Sequence, residues 1–331
     1  MIRTFKLRDL ALVRRLSEHG IRLDAESALT RSYHPLRGAL FGMIGGSNRP
    51  TYVWRSDEGD AEGFVQLRVA DDLNARLICL AVDPAFGDNG DRNQDLEESA
   101  WLALLDDVVR AIGRRGIHSL IAEVDESGAE LITLRRAGFA VFTRQDIWLL
   151  QSVTEVRRSA AHLKPRRSVD DWDIEWLYAN TVPPLIQLVE PSPPFDGDIW
   201  LLREEGELSA FAHIAQGSAA TWMQIFIHPN AHAKAEDILN AAVSLCAERG
   251  QEPVYCCVRR YQSWIQGALE SSGFTLFGSQ AVMVRHMSKP AIKKVGALER
   301  LLNAQSVRPT TLLQRCDASD EQQKLVREDG V

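Results

Sequence analysis

The sequence predicts an α/β protein with mixed sheets, in which one unit is used twice. Three observations carry this. The block "LRRAGFAVFTRQDIWLL" (134–150) returns as "LESSGFTLFGSQAVMVR" (269–285). Leu134/Leu269, Gly138/Gly273, Phe139/Phe274, Phe142/Phe277 and Gln145/Gln280 align without a gap, each pair 135 residues apart. Upstream of each block the same patterns appear in the same order. Finally, 331 residues suit two units at roughly 150 residues per domain.

The elements follow in order. The opening "MIRTFKLRDLALVRRL" alternates charged and apolar residues. It suits a helical segment, and lacks the apolar run of a signal peptide or membrane helix. Residues 51–69 are two β-rich runs around an acidic, glycine-containing turn, hence a hairpin. The strand "ARLICLAVDP" (75–84) comes next. A helix over 98–116 puts Trp101, Leu104, Leu105, Val108 and Ile112 on one face and stops at Arg114-Arg115-Gly116. A buried strand at 118–125, a further helix, the Gly-Phe turn and a last strand complete the unit.

The second unit repeats this with a hairpin at 198–216, a strand at 221–229 and a helix at 235–250 whose Ile238, Ala241, Ala242 and Leu245 face inward. A strand at 253–259 and the second Gly-Phe turn follow. Each half is therefore expected to run β-β-β-α-β-α-β, with a right-handed parallel crossover in the middle. Expected boundaries are 1–150 for the first domain, 151–171 for a basic linker, 172–287 for the second domain and 288–331 for a tail. Within the linker, "RRSAAHLKPRRSVDD" (157–171) reads as solvated. "PSPPF" (191–195) reads as a loop. The tail holds one amphipathic stretch (291–304) and a disorder-like composition after about Pro309.

Composition limits the partners. A net charge of −7 makes nucleic acid an unexpected ligand. The five cysteines lack CxxC spacing, which suits buried thiols in a reducing cytoplasm. The expectation is a cytoplasmic protein that neither enters a membrane nor binds metal.

"LAVDP", "RRG" and "RRAGF" in the first half, and "FIHP", "ERG" and "ESSGF" in the second, occur in an order that resembles the GNAT acetyltransferase superfamily. The resemblance covers most of 1–150 and again about 170–287. It implies a duplicated GNAT-like fold, acetyl-CoA or another acyl-CoA as co-substrate, and transfer of the acyl group to an amine of an unknown small-molecule or protein acceptor. It also implies a main-chain N–H at the end of the fourth strand that donates to the thioester carbonyl, which maps to Leu80, Ala81 and Val82 or to Phe226, Ile227 and His228. The two halves are expected to pair as an intramolecular pseudo-dimer.

The chain departs from the family where cofactor and chemistry meet. Neither half carries the R/Q-x-x-G-x-G/A loop that cradles a pyrophosphate at a helix N-terminus. In the first half, 85–100 holds Asp88, Asp91, Asp95, Glu97 and Glu98 against a lone Arg92. A carboxylate about 4 Å from a phosphate costs on the order of 4 kcal/mol at an effective dielectric of 20, though acids also suit a first helical turn. In the second half, His232 falls at the family's Arg/Gln position and Lys234 adds a positive charge. The tyrosine acid of many members is replaced by Leu134 and Leu269. An inactive pseudoenzyme that binds a ligand or partner protein is therefore the alternative.

Three titratable groups remain as candidates for chemistry. Glu123, inside a strand, is either a base raised by burial or the partner of an arginine. His228, beside Pro229, is either a base at the cleft or a loop histidine; the His228/His232 spacing lacks the glutamate of a zinc helix. Tyr261 is either a displaced phenolic acid or a tyrosine capping a core edge. Cys256 and Cys257 read as buried packing. Trp148, Trp222 and Trp264 are expected to fill core or inter-domain space.

Overall fold

The computed structural model describes residues 1–31, 35–44, 48–59, 61–69, 73–84, 94–152, 159–190, 197–248 and 253–287. The loop at 191–195, the acidic stretch 85–93 and the tail stretch 291–304 lie outside these.

The first half runs β1 (Ile2–Thr4), α1 (Leu10–Leu16), β2 (Ile21–Arg22), α2 (Ala25–Thr30), α3 (Pro35–Ile44), β3 (Thr51–Arg55), β4 (Ala61–Val69), β5 (Asn74–Pro84), α4 (Gln94–Gly113), β6 (Ser119–Asp125), α5 (Ala129–Arg136) and β7 (Ala140–Leu150). The second runs β8 (Lys164–Pro165), α6 (Asp171–Thr181), α7 (Pro184–Gln187), β9 (Asp198–Glu204), β10 (Glu207–Gln216), β11 (Thr221–Ile227), α8 (Ala235–Glu248), β12 (Val254–Arg259), α9 (Gln266–Ser271) and β13 (Thr275–His286). From β3 and from β9 onward, both halves follow the expected β-β-β-α-β-α-β order. Strands β3–β5 and β9–β11 are antiparallel, and β5–β6 and β11–β12 are the parallel pairs.

All strands share one sheet, ordered β1-β3-β4-β5-β6-β13-β7-β12-β11-β10-β9-β8, with β2 added on β5. Read from either end, the order is the same under the sequence repeat. The two closing strands are interleaved: β13 of the second half lies against β6 of the first, and β7 of the first lies against β12 of the second. Each half thus completes its sheet with a strand of the other.

Helices cover both faces. Against one face, α4 lays Trp101, Leu104, Leu105, Val108 and Ile112 into a core shared with Leu134 and Phe139. In the second half, α8 places Ile238, Ala241 and Ala242 beside Leu269 and Phe274. Burying each large apolar side chain contributes about 1.5–3 kcal/mol. The opposite face is covered by α1 and α3 in the first half and by α6 and α7 in the second.

The repeated Gly-Phe block is a helix stop used twice. Gly138 and Gly273 turn left-handed at φ 81° and 90°, and the next N–H, of Phe139 or Phe274, donates to the carbonyl of Leu134 or Leu269 at 3.0 Å. Both leucines are fully buried, so packing accounts for their identity. The range read as linker contains β8, which pairs with β9, and a 3-10 turn at Ser168–Asp170. That turn copies the one at Leu7–Asp9. Asp9 accepts the Lys6 N–H at 2.9 Å and pairs with Arg3; Asp170 accepts the Arg167 N–H at 2.8 Å and pairs with Arg203. Trp148 and Trp222 are buried, but Trp264 is 56% exposed, contrary to expectation. Its 3-10 stretch, Arg260–Ile265, turns Gln262 and Ile265 inward and leaves Trp264 outside. Among the described residues no helix is long and apolar enough to cross a membrane.

Candidate functional site

Parallel strands that separate partway leave a wedge whose walls are unpaired main chain. The fold makes two. In the first half, β5 and β6 pair only from Asn74↔Ser119 to Arg76↔Ile121. In the second, β11 and β12 pair only from Thr221↔Val254 to Met223↔Cys256.

The first wedge is filled by the chain itself. Strand β2 pairs with β5 at Ile21↔Leu80 and Arg22↔Cys79. Leu23 then spans both walls: its N–H donates to the Ile78 carbonyl at 3.0 Å, and its carbonyl accepts the Glu123 N–H at 2.8 Å. Gly20 allows this close approach, because a Cβ there would lie 2.9 Å from the Cys79 Sγ. Leu80, Ala81 and Val82 are buried, and Ala81, opposite Phe64, directs its main chain to β4 rather than the wedge. Glu123 is committed too. One carboxylate oxygen accepts the Ala25 N–H at the start of α2 at 2.8 Å, and the other meets Arg76 at 3.0 Å.

In the second wedge, among the described residues, no strand pairs with β11 beyond Met223 on the β12 side. The Gln262 amide reaches in to donate to the Ile225 carbonyl at 3.1 Å. The His228 N–H points away and donates to Ser209 of β10 at 2.8 Å. Alternation along a strand then sends the main-chain groups of Phe226 to β10 and those of Ile225 and Ile227 to the wedge. Of the three mapped positions here, Ile227 is the one whose N–H faces the opening. Phe226 stacks on Phe211 with ring centroids 4.6 Å apart, and Tyr178 and Tyr261 pack on the same cluster. Burial raises the pKa of the Tyr261 phenol well above its ordinary value, so it keeps its proton. His228 is half-buried, and its Nδ1 accepts the Asn230 N–H at 3.1 Å. That bond places the neutral ring's proton on Nε2 and makes it a donor. Burial pushes the Cys257 thiol up to about 12, consistent with packing rather than nucleophilic use.

The loop leading to α8 carries His232 and Lys234, both exposed. The N–H groups of His232 and Ala233 donate to the two oxygens of Glu204 at 2.9 and 2.7 Å. Burial pushes the Glu204 carboxyl up, but the Ser209 hydroxyl and these two N–H groups outweigh it and hold it below the usual range. A carboxylate thus sits on the main-chain donors that precede the helix.

Sequence reasoning missed the link between the wedges. Glu190, after α7, pairs with Arg76 of β5 at 2.5 Å and with Arg259 of β12. With the Arg76–Glu123 pair, two guanidiniums and two carboxylates balance in one partly buried group. The signal was present as charged residues at the edges of apolar strand runs, in "ARLICL" and "VYCCVR". The structure therefore gathers Phe226, Ile227, His228 and Tyr261 around the second wedge, with His232 and Lys234 on the following loop. Glu123, Leu80, Ala81 and Val82 belong to the first. Cavities of about 360 and 370 Å³ lie elsewhere, one beside Arg166 and Trp200 and the other beside Arg3 and Arg55. Among the described residues, no group of three or more His, Cys, Asp or Glu is arranged to hold a metal ion.

Two half-sheets, each opening between its fourth and fifth principal strands with helices on both faces, define the duplicated GNAT-like acyltransferase fold. A GCN5-related N-acetyltransferase from Sphaerobacter thermophilus superposes with a TM-score of 0.53 at 10% identity, over 86% of this chain and 95% of that one. A tandem GNAT protein from the clavulanic acid biosynthesis pathway superposes with 0.50 at 11% identity, over 86% and 98%. The glucosamine N-acetyltransferase region of a fungal multi-domain β-N-acetylglucosaminidase gives 0.56 at 13% identity, over 86% of this chain and 38% of that one. At these identities the likeness is one of fold. No protein-family model and no curated protein sequence matches the chain.

Proposed function

We propose that the chain is an acyl-CoA-dependent N-acyltransferase with one donor groove, between β11 and β12, and a first half that serves as its structural partner. The observation that carries this reading is the contrast between the wedges. Leu23 bridges β5 and β6, whereas the edge of β11 at Ile225 and Ile227 faces an opening that no strand fills among the described residues.

In the reaction, an acceptor amine forms an N–C bond at the thioester carbonyl, the C–S bond breaks, the departing thiolate takes a proton from Tyr261, and the proton released by the amine nitrogen restores the phenol. The Ile227 N–H supplies a preorganised donor to the carbonyl oxygen as it gains charge. Tyr261, held protonated by burial, is the candidate acid, and His228 offers a second N–H at Nε2. Lys234 adds positive charge where phosphates approach α8. The acceptor is an amine of a small molecule or protein, met in the cytoplasm without a membrane or nucleic acid. The halves act together as an intramolecular pseudo-dimer.

Glu204 favours a second reading, the inactive pseudoenzyme, because its carboxylate occupies N–H groups that a phosphate would use. Titrating the full chain with acetyl-CoA by calorimetry separates the two. The enzyme reading predicts heat at micromolar ligand, weakened by Lys234→Glu. Absence of heat with several acyl-CoAs contradicts it and leaves the pseudoenzyme.

A further inference from the structure

Strand β12 runs on beyond its pairing with β11. Their parallel register, Thr221↔Val254 to Met223↔Cys256, carried onward sets Phe226 and Arg259 across the opening from one another. Alternation keeps Tyr255, Cys257 and Arg259 on one face of the sheet, together with Trp222, Gln224 and Phe226. The Gln224 side chain hydrogen-bonds the Cys257 thiol, so that face holds its register past the last main-chain pair. Ile225 and Ile227 point to the other face, where α8 packs. An acyl-CoA whose phosphates lie at the start of α8 therefore enters the wedge from one face. Its acceptor meets it from the face of Arg259.

Arg259 is only 7% exposed. Its Nη2 donates to Glu190, which also takes Arg76. Its Nη1 has no hydrogen-bond partner among the described residues and shows no surface to water. Buried polar groups are nearly always hydrogen-bonded, and an unpaired N–H on a charged group is among the costlier exceptions. The Tyr261 phenol stands close enough to feel the Arg259 charge, which opposes the larger effect of burial on it. Charge then narrows the ligand. Arg76 and Arg259 are already balanced by Glu190 and Glu123. A plain anion would tip that balance, whereas a molecule with both an ammonium and a carboxylate leaves it level. The planar guanidinium matches a carboxylate in shape.

We propose that the acceptor is an amino acid whose carboxylate is held by Arg259 Nη1 at the second wedge, a proposal that rests on the acyltransferase reading. Nη1 is closed to water in the free chain, so the carboxylate is admitted by side-chain rotation, as is common on binding. The test is calorimetry of the full chain with the standard amino acids and their methyl esters, each with and without acetyl-CoA, and mass spectrometry of the products. At least one amino acid should bind and be N-acetylated, with its uncharged ester bound about tenfold or more weakly. Arg259→Lys keeps a charge for Glu190 but lacks the second nitrogen. It should reduce the preference for acid over ester, with acetyl-CoA binding and the circular dichroism spectrum unchanged. Should that variant fail to fold, the acid–ester comparison on the natural chain decides alone. No amino acid bound, acid and ester bound alike, a bound amino acid left unacetylated although acetyl-CoA binds, or a preference undiminished in a folded Arg259→Lys would each overturn the proposal. Absence of heat with acetyl-CoA contradicts the acyltransferase reading instead, and the titrations without acetyl-CoA still judge Arg259 by itself.

Discussion

Gln145 and Gln280, the repeat partners 135 residues apart, lie directly opposite one another on β7 and β13, and the Gln145 Nε2 donates to the Gln280 Oε1 at 2.7 Å. The equivalent residues of the two halves therefore meet where the halves exchange strands. Gln145 is fully buried, and the Cys257 Sγ lies 3.4 Å from its Oε1. Gln145→Leu strands the Gln280 amide and should cost about 1–3 kcal/mol in urea unfolding. Adding Gln280→Leu should cost less than the sum of the single changes, because both ends of one interaction then disappear.

The Arg76–Glu190–Arg259 group should govern stability in acid. Burial pushes the Glu190 carboxyl up, but Arg259 and Arg76 outweigh it, so its folded-state pKa lies below the ordinary value of about 4.3. The sign follows. Its contribution is present above that ordinary value and is lost as pH falls through the lower folded one. Glu190→Gln leaves two guanidiniums without their shared carboxylate, should cost about 3–5 kcal/mol at neutral pH, and should flatten the acid limb of a stability–pH profile.

Gly217→Ala should be destabilising for a reason of position. A Cβ there would lie 2.0 Å from the Thr30 carbonyl oxygen, at the end of α2 where Thr30 also accepts the Ala219 N–H. The clash is with main chain, which cannot rotate aside. A cost of about 1–3 kcal/mol by thermal unfolding is expected. Gly267→Ala, with nothing near its added carbon, should be tolerated.

Glu204→Gln should raise acyl-CoA affinity. The amide removes a negative charge from the N–H groups of His232 and Ala233 while keeping the side chain's shape. About a tenfold gain, on the order of 1.4 kcal/mol, is expected by calorimetry.

The fold was legible where packing repeats in sequence. The two Gly-Phe stops, the stripe of α4 and the hairpins carry their period or their glycine openly. What escaped was polar structure with ordinary composition. Lys164–Pro165 and Asp170 read as linker because a short, charged edge strand and a charged cap look like solvated chain. The interleaving of β7 and β13 could not be read, since an apolar strand does not name its neighbour. At the second wedge, the resemblance pointed to Phe226, Ile227 and His228, and strand alternation sets Ile227 apart as the one whose N–H faces the opening. Glu123 was read as either a base or an ion-pair partner, and the carboxylate's contacts are with Arg76 and the head of α2. The plug at Leu23 left no signal, because hydrogen bonds of an extended segment are made by main chain common to every sequence.

The central claim is that one wedge takes an acyl-CoA and the other is closed by the chain. A crystal structure of the full chain soaked with acetyl-CoA tests it most directly. Density for the cofactor between β11 and β12, with Ile21–Leu23 still seated between β5 and β6, is the predicted result. Cofactor lodged between β5 and β6 with that segment displaced, or no cofactor in either wedge, would contradict it.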